Sequence, residues 1–151
     1  VILKFPPEFD FVKQDFEKYG YWEKRTTDYI KKHLKKGQTF LDIGSQVGYF
    51  SVLASELGAK VIAIEPSTEN RRILADNLDA NHCKKKVEIV AKALSNLTGE
   101  VKLYKGKTPG EHSLKENYHN DSGFETVEAV KWDDLKLPVP DFIKIDIEGA
   151  E

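Results

Sequence analysis

Apolar positions along the chain change their period several times, and each change marks an element. Phe40-Leu41-Asp42-Ile43 is a short apolar run closed by Gly44; after Gly48, Phe50, Leu53, Ala54 and Leu57 recur at helical spacing until Gly58. This predicts a strand over 39–43, a tight turn, and a helix over 48–57. A second apolar run, Val61-Ile62-Ala63-Ile64, predicts a strand over 60–64. Pro66 and Ser67 then open a helix to about Asn81, with Ile73, Leu74, Asn77 and Leu78 inward; Pro66 suits the first helical turn, where its missing N–H costs little. Val87 to Val90 reads as a third strand. Upstream, 23–35 reads as a helix with Tyr29, Ile30 and Leu34 on one side, Lys31, Lys32, Lys35 and Lys36 outside, and Gly37 as its stop. Residues 1–20, aromatic-rich and containing Pro6-Pro7, predict an irregular arm or a short helix.

The second half is less regular. Gly99 to Tyr104 alternates and reads as one strand of a β-ribbon, and Thr126 to Val130 as another. Between them, 105–124 has no period and is expected to be a loop or lid. Asp141 to Ile147 predicts a fourth main strand. Strands alternating with helices imply an α/β fold, a mostly parallel sheet with helices on both faces and its ligand edge at the strand C-termini. Residues 1–36 form an N-terminal arm and helix, and 37–151 the ligand-binding domain.

The turn after the first strand carries the chemistry. A strand, a glycine turn, a helix, a second strand and an acid at its end, here Glu65, build an adenosine-binding crevice. The dinucleotide fingerprint requires glycine at offsets 0, 2 and 5; from Gly44 those positions hold Gly44, Gln46 and Tyr49. Gln46 would crowd a pyrophosphate, which disfavours nicotinamide and flavin dinucleotides. Gly106-Lys107-Thr108 resembles the end of a phosphate-binding loop but lacks the strand-to-helix context and its first glycine, Val101 standing there.

Asp42-x-Gly44-x-x-x-Gly48, with Glu65 following, resembles the class I S-adenosylmethionine-dependent methyltransferases, which have a Rossmann-like fold. That cofactor has no phosphate and does not need the full glycine pattern. Glycines at 44 and 48 would let its methionine part lie against the backbone, and Glu65 would accept both ribose hydroxyls. Taken alone, Glu65 would equally be a helix-capping acid.

Three blocks are similar to the FkbM family within that class: Leu41 to Phe50; Ile64-Glu65-Pro66 with Asn70 and Asn77; and Phe142-Ile143-Lys144-Ile145-Asp146-Ile147-Glu148-Gly149-Ala150-Glu151. Ala93-Leu94-Ser95, Gly99-Glu100-Val101, Ser113-Leu114 and Trp132-Asp133-Asp134-Leu135 fit between them in order. The family pattern usually has Ala-Asn where this chain has Ser45-Gln46. The resemblance implies methyl transfer to a hydroxyl of a sugar, polyketide or other small acceptor. It implies a cofactor site of Asp42, Gly44, Ser45, Gly48, Tyr49, Glu65, Pro66 and Asp146, with Ala93 and Leu94 near the adenine. In the family an aromatic-acid segment such as Tyr19-Gly20-Tyr21-Trp22-Glu23 can cover the cofactor, so Glu23 would meet its ammonium; an aromatic cluster packing the N-terminal arm is the other reading.

Lys144, Asp146 and Glu148 alternate with Ile143, Ile145 and Ile147, so period two places the three charges on one strand face. A structural pairing of Lys144 with a carboxylate is one reading. The other puts Asp146 beside the methyl-donating sulfonium and makes Glu148 the first candidate for a general base or acceptor orienter. Both are entered as catalytic candidates. His112 and His119 are alternative bases, because histidine titrates near neutrality; His33 and His82 fall on charged helix faces. No His, Asp and Glu spacing argues for a metal.

Composition adds exclusions. The 23 basic and 25 acidic side chains leave a net charge of −2, which gives no electrostatic case for nucleic acid or an anionic membrane. No apolar run reaches membrane-spanning length. Cys83 is the only cysteine, so no internal disulfide or cysteine zinc site can form, and a reducing cytoplasm is the expected compartment. Asn96-Leu97-Thr98 and Asn120-Asp121-Ser122 match a glycosylation triplet that is common by chance. The chain stops four residues after Ile147, where about three more strands are implied. The fourth strand is therefore expected to be an exposed apolar edge through which a second copy could associate. The rival functions are a non-catalytic adenosine- or S-adenosylmethionine-binding module, an inactive fragment, or methylation of RNA or protein on the same fold.

Overall fold

The computed structural model describes residues 1–6, 10–116 and 123–150. Its elements are α1 (Asp10–Tyr19), α2 (Lys24–His33), β1 (Thr39–Ile43), α3 (Tyr49–Glu56), β2 (Lys60–Ile64), α4 (Thr68–Ala80), β3 (Val87–Val90), β4 (Ala93–Leu94), β5 (Gly99–Tyr104), β6 (Phe124–Val130) and β7 (Phe142–Ile145). Four strands form a parallel sheet in the order β3-β2-β1-β7. The second sheet, β4-β6-β5, pairs β5 and β6 antiparallel, the ribbon that the alternation at 99–104 predicts.

The parallel α/β layout is the expected one, but the helices are distributed differently. One face of the sheet, bearing Phe40, Val61, Ala63 and Val87, packs against Ile30 and Leu34, Phe50 and Leu53, and Leu74 and Leu78 from three helices. The other face, bearing Leu41, Ile43, Ile62 and Ile64, meets Leu94, Leu135, Leu137 and Ile147 instead, so among the described residues no helix covers it. Chain order explains the difference. From β1 to β2 to β3 the sheet grows in one direction, and right-handed crossovers place α3 and α4 on the same side. The return from β3 to β7 runs through the ribbon and 131–141 and crosses the opposite face.

That return makes the β1–β7 boundary the place where strand order reverses, which is where open α/β sheets bind ligands. Gly44 and Asp146 face each other there: a Cβ on Gly44 would lie 1.9 Å from the Asp146 backbone oxygen. Asp146 N–H still donates to the Ile43 oxygen (3.0 Å), linking β1 to the chain leaving β7. Ile143 and Ile145 are about half exposed, and among the described residues β7 lies at an edge of the sheet.

Two boundary differences bear on the site. Pro66 lies outside α4: Ser67 is the N-cap, with its hydroxyl accepting from Asn70 N–H, so the helix starts at Thr68. β7 ends at Ile145 rather than Ile147, and Glu148 sits at φ +53° in the left-handed region. The alternating pattern continues past the point where the backbone turns, so Glu148 does not extend a strand face shared with Lys144.

Candidate active site

The turn 44–48 is shaped first by the protein's own packing. Gly44 (φ +75°) allows the close approach to Asp146, and Gly48 (φ +91°) makes room for Leu74, whose Cδ1 would lie 2.3 Å from an added Cβ. The N–H groups of Gly44 and Ser45 both donate to the Ile64 oxygen, at 2.9 and 3.1 Å, tying the turn to the end of β2. Asn77 clamps it from α4, donating to Val47 O (2.7 Å) and exchanging bonds with the Lys4 backbone.

A narrow crevice with a cavity volume of about 40 Å³ opens above this turn. Of the residues expected at the cofactor, Gly44, Glu65, Pro66, Ala93, Leu94 and Asp146 line it, as does Glu148. The other four do not. Asp42 is buried under the turn, accepting from Ser51 Oγ at 2.7 Å. Ser45 is buried beside it, and Gly48 belongs to the contact with α4. Tyr49 points into the helix-side core, edge-on to Phe16 and Phe50, with its hydroxyl 3.0 Å from Thr27 Oγ1. Strand alternation explains Asp42: it shares the helix-facing side of β1 with Phe40. Glu23 likewise lies outside the lining, exposed at the start of α2 with its carboxylate accepting from Thr26 Oγ1, while Tyr21 and Trp22 pack on the core. The aromatic-packing reading of that segment is the one the contacts favour.

Glu65 is the best-defined polar group of the crevice. Only 4% of it is exposed. One carboxylate oxygen accepts from Gln46 N–H at 2.8 Å; the other accepts from Ser67 N–H at 2.9 Å and Asn70 Nδ2 at 3.4 Å. Burial nevertheless outweighs these donors and pushes its carboxyl up to about 7. A ligand hydroxyl donating to it would favour the charged form.

At the other end, Lys144 Nζ lies 3.3 Å from Asp146 Oδ2 and 4.0 Å from Asp42 Oδ1, and 5.1 Å from the centre of the Phe50 ring. Asp42 Oδ1 is buried without a hydrogen bond among the described residues, and burial raises the Asp42 carboxyl against the pull of Lys144. The pairing of Lys144 with a carboxylate, one of the two readings of this strand, is thus made with two of them, Asp146 and Asp42. Glu148 reaches the crevice by its backbone turn, and its carbonyl accepts from Ser113 Oγ at 2.8 Å.

Several lining residues escaped the sequence reading: Gln46, Asn70, Leu103 and Gly110. In the sequence Gln46 stands out as an obstacle to phosphate and a departure from the family's Ala-Asn; in the structure its backbone N–H orients Glu65. Of the alternative bases, His112 lines the crevice; His119 lies outside the described residues, as does the Asn120 triplet. His33 is exposed and its ring lies tilted against Tyr29, with the centroids 4.4 Å apart. Among the described residues no His, Cys, Asp and Glu group could hold a metal, and no helix is long and apolar enough to cross a membrane.

The methyltransferase FkbM domain matches residues 42–151, most of the chain. The chain belongs to the FkbM methyltransferase family. This agrees with the three sequence blocks. The chain is also 36% identical over 55 residues to a ribosomal protein L11 methyltransferase of Macrococcus caseolyticus, covering 36% of this chain and 18% of that relative. Among solved structures it is similar to PRMT6 with SAH (TM-score 0.46, 21% identity, 55% of this chain and 25% of that one). It is also similar to the precorrin-6y C5,15-methyltransferase of Geobacter metallireducens (TM-score 0.41, 25% identity, 46% and 37%). The FkbM-like chain therefore spans about a fifth of that curated relative and well under half of these two structures.

The crevice suits the cofactor of S-adenosylmethionine-dependent methyltransferases. That ligand presents a flat base, a vicinal diol and positive charges. The crevice offers apolar walls at Ala93, Leu94 and Leu103, a buried carboxylate at Glu65, and two further acidic residues, Asp146 and Glu148. A pyrophosphate would meet a lining with three acidic residues and Gln46 there.

Proposed function

We propose that this chain binds S-adenosylmethionine and transfers its methyl group to a hydroxyl of a sugar, polyketide or other small acceptor. The observation that carries the reading is Glu65, a buried carboxylate held by the Gln46 and Ser67 amides at the mouth of β2, where it can take both ribose hydroxyls. The bound cofactor supplies an activated methyl on a sulfonium. Gly44 and Pro66 shape the floor, and Ala93 and Leu94 give the base an apolar wall.

Asp146 and Glu148 place negative charge at the end of the crevice away from Glu65. Asp146 would face the methionine part, its carboxylate oriented by Lys144. Glu148 would orient the acceptor hydroxyl and take its proton. In-line methyl transfer depends mostly on alignment and exclusion of water, and a positioned base adds roughly 10²–10⁴-fold. Glu148→Gln is accordingly expected to slow transfer while leaving cofactor affinity near wild type; Asp146→Asn should weaken both. The test is transfer of labelled methyl from S-adenosylmethionine to a panel of sugar and polyketide hydroxyls, with RNA and protein acceptors in parallel. Label on hydroxyl acceptors supports the reading. Label on RNA or protein alone, or cofactor binding with no transfer to any acceptor, contradicts it.

A further inference from the structure

The stretch between β5 and β6 carries no period in the sequence, yet part of it is built into the crevice wall. Thr108 and Glu111 cap a short 3₁₀ turn reciprocally, and Ser113 pairs with Tyr104. Gln46 Nε2 reaches Gly110 O at 3.4 Å and Ser113 Oγ reaches Glu148 O at 2.8 Å, so the segment is tied both to the turn after β1 and to the turn after β7. His112 lies between the two ties and lines the crevice. Its Nδ1 is buried and makes no hydrogen bond among the described residues. Burial and the nearby Lys105 ammonium favour the neutral ring, which carries one donor and one acceptor nitrogen.

A buried polar atom without a partner costs about 1–3 kcal/mol, and in a binding crevice a ligand group is the natural partner. The surroundings say which. Leu94, Leu103 and Leu114 line the same crevice as His112 and give it an apolar wall suited to a flat heteroaromatic ring. Such a ring is satisfied on its faces by the apolar wall and needs hydrogen bonds only at its polar edge. Resting on the cofactor reading above, we propose that His112 recognises the adenine of the cofactor, its Nδ1 accepting a hydrogen bond from the exocyclic amine. His112 is then a specificity residue for a 6-amino purine, with no part in moving the methyl group.

The test crosses a protein change with a ligand change, because contacting groups couple and separate ones do not. Calorimetry compares S-adenosylhomocysteine with its 6-deamino purine analogue on wild type, His112→Phe and His112→Asn, each checked for folding by thermal unfolding. Wild type is expected to bind the deamino analogue about tenfold more weakly, one lost buried hydrogen bond. His112→Phe should bind both ligands equally, at the weaker level; His112→Leu runs the same cycle if the phenylalanine variant does not fold. His112→Asn, which keeps an oxygen near the place of Nδ1, should recover most of the affinity for S-adenosylhomocysteine. A tenfold preference that persists in His112→Phe, or S-adenosylhomocysteine binding unchanged by that substitution, overturns the inference and leaves the cofactor reading standing. Wild type that binds neither ligand overturns both.

Discussion

Replacing Glu65 by glutamine probes the site through the stability of the fold as well as through the ligand. Glu65 has an ordinary carboxyl in the unfolded chain, near 4.5, and one pushed up to about 7 when folded. Below 4.5 both states are protonated and the folded chain carries no penalty. Between the two values the folded state holds a proton that the unfolded state has lost, so stability falls as pH rises and reaches its full deficit above about 7. At ~1.4 kcal/mol per pH unit this amounts to about 3 kcal/mol. Urea unfolding of wild type and Glu65→Gln at pH 5 and pH 8 isolates it. The glutamine NH₂ must face one of the two amides that Glu65 now accepts from, which costs about 1–3 kcal/mol, but that cost is the same at both pH values. The difference between the two proteins should therefore shift by about 2–3 kcal/mol in favour of the variant on going from pH 5 to pH 8, a little less than the full deficit because part of it is already present at pH 5. Parallel behaviour at the two pH values would refute the claim that a buried, desolvated carboxyl sits at this position.

Ligand binding follows from the same charge: hydroxyl donors favour the carboxylate, so S-adenosylhomocysteine affinity should rise up to about tenfold from pH 6 to pH 8 in wild type and stay flat in Glu65→Gln, by calorimetry. Gly44→Ala drives a methyl into the Asp146 backbone, whereas Gly48→Ala meets a rotatable Leu74 methyl. Denaturant unfolding should show a loss of about 2 kcal/mol or more for Gly44→Ala, larger than for Gly48→Ala. Lys144→Met removes the cation beside buried Asp42, and should cost about 3 kcal/mol at pH 7, much of it recovered in the double variant with Asp42→Asn; a double variant no more stable than the single one would show that the pair is not coupled.

What the sequence made legible was what local period and special residues dictate. The β1 run, the 44–48 turn, α3, β2 and Glu65 all lie within about 25 residues, and their pattern specifies a strand-turn-helix-strand unit whatever surrounds it. The site residues that were missed depend on contacts distant along the chain. Gln46 matters through its amide, which no side-chain pattern reports. Gly110 reaches the crevice only because a stretch without period is tied to two separate turns. Asp42 and Tyr49 were placed at the ligand by their neighbourhood in the motif, yet strand alternation sends Asp42 to the helix face and core packing takes Tyr49 inward. Glu148 shows the limit of reading a strand by alternation: the pattern of isoleucines and charges outlasts the strand, which ends at Ile145.

The central claim is that the crevice above Glu65 holds S-adenosylmethionine. Its most direct test is a calorimetric titration of this chain and of Glu65→Ala with S-adenosylhomocysteine, with NAD as the competing ligand. The account predicts that wild type binds S-adenosylhomocysteine and discriminates against NAD, and that Glu65→Ala, still folded by thermal unfolding, loses the binding. Tighter binding of NAD, or S-adenosylhomocysteine affinity untouched by Glu65→Ala, would contradict it.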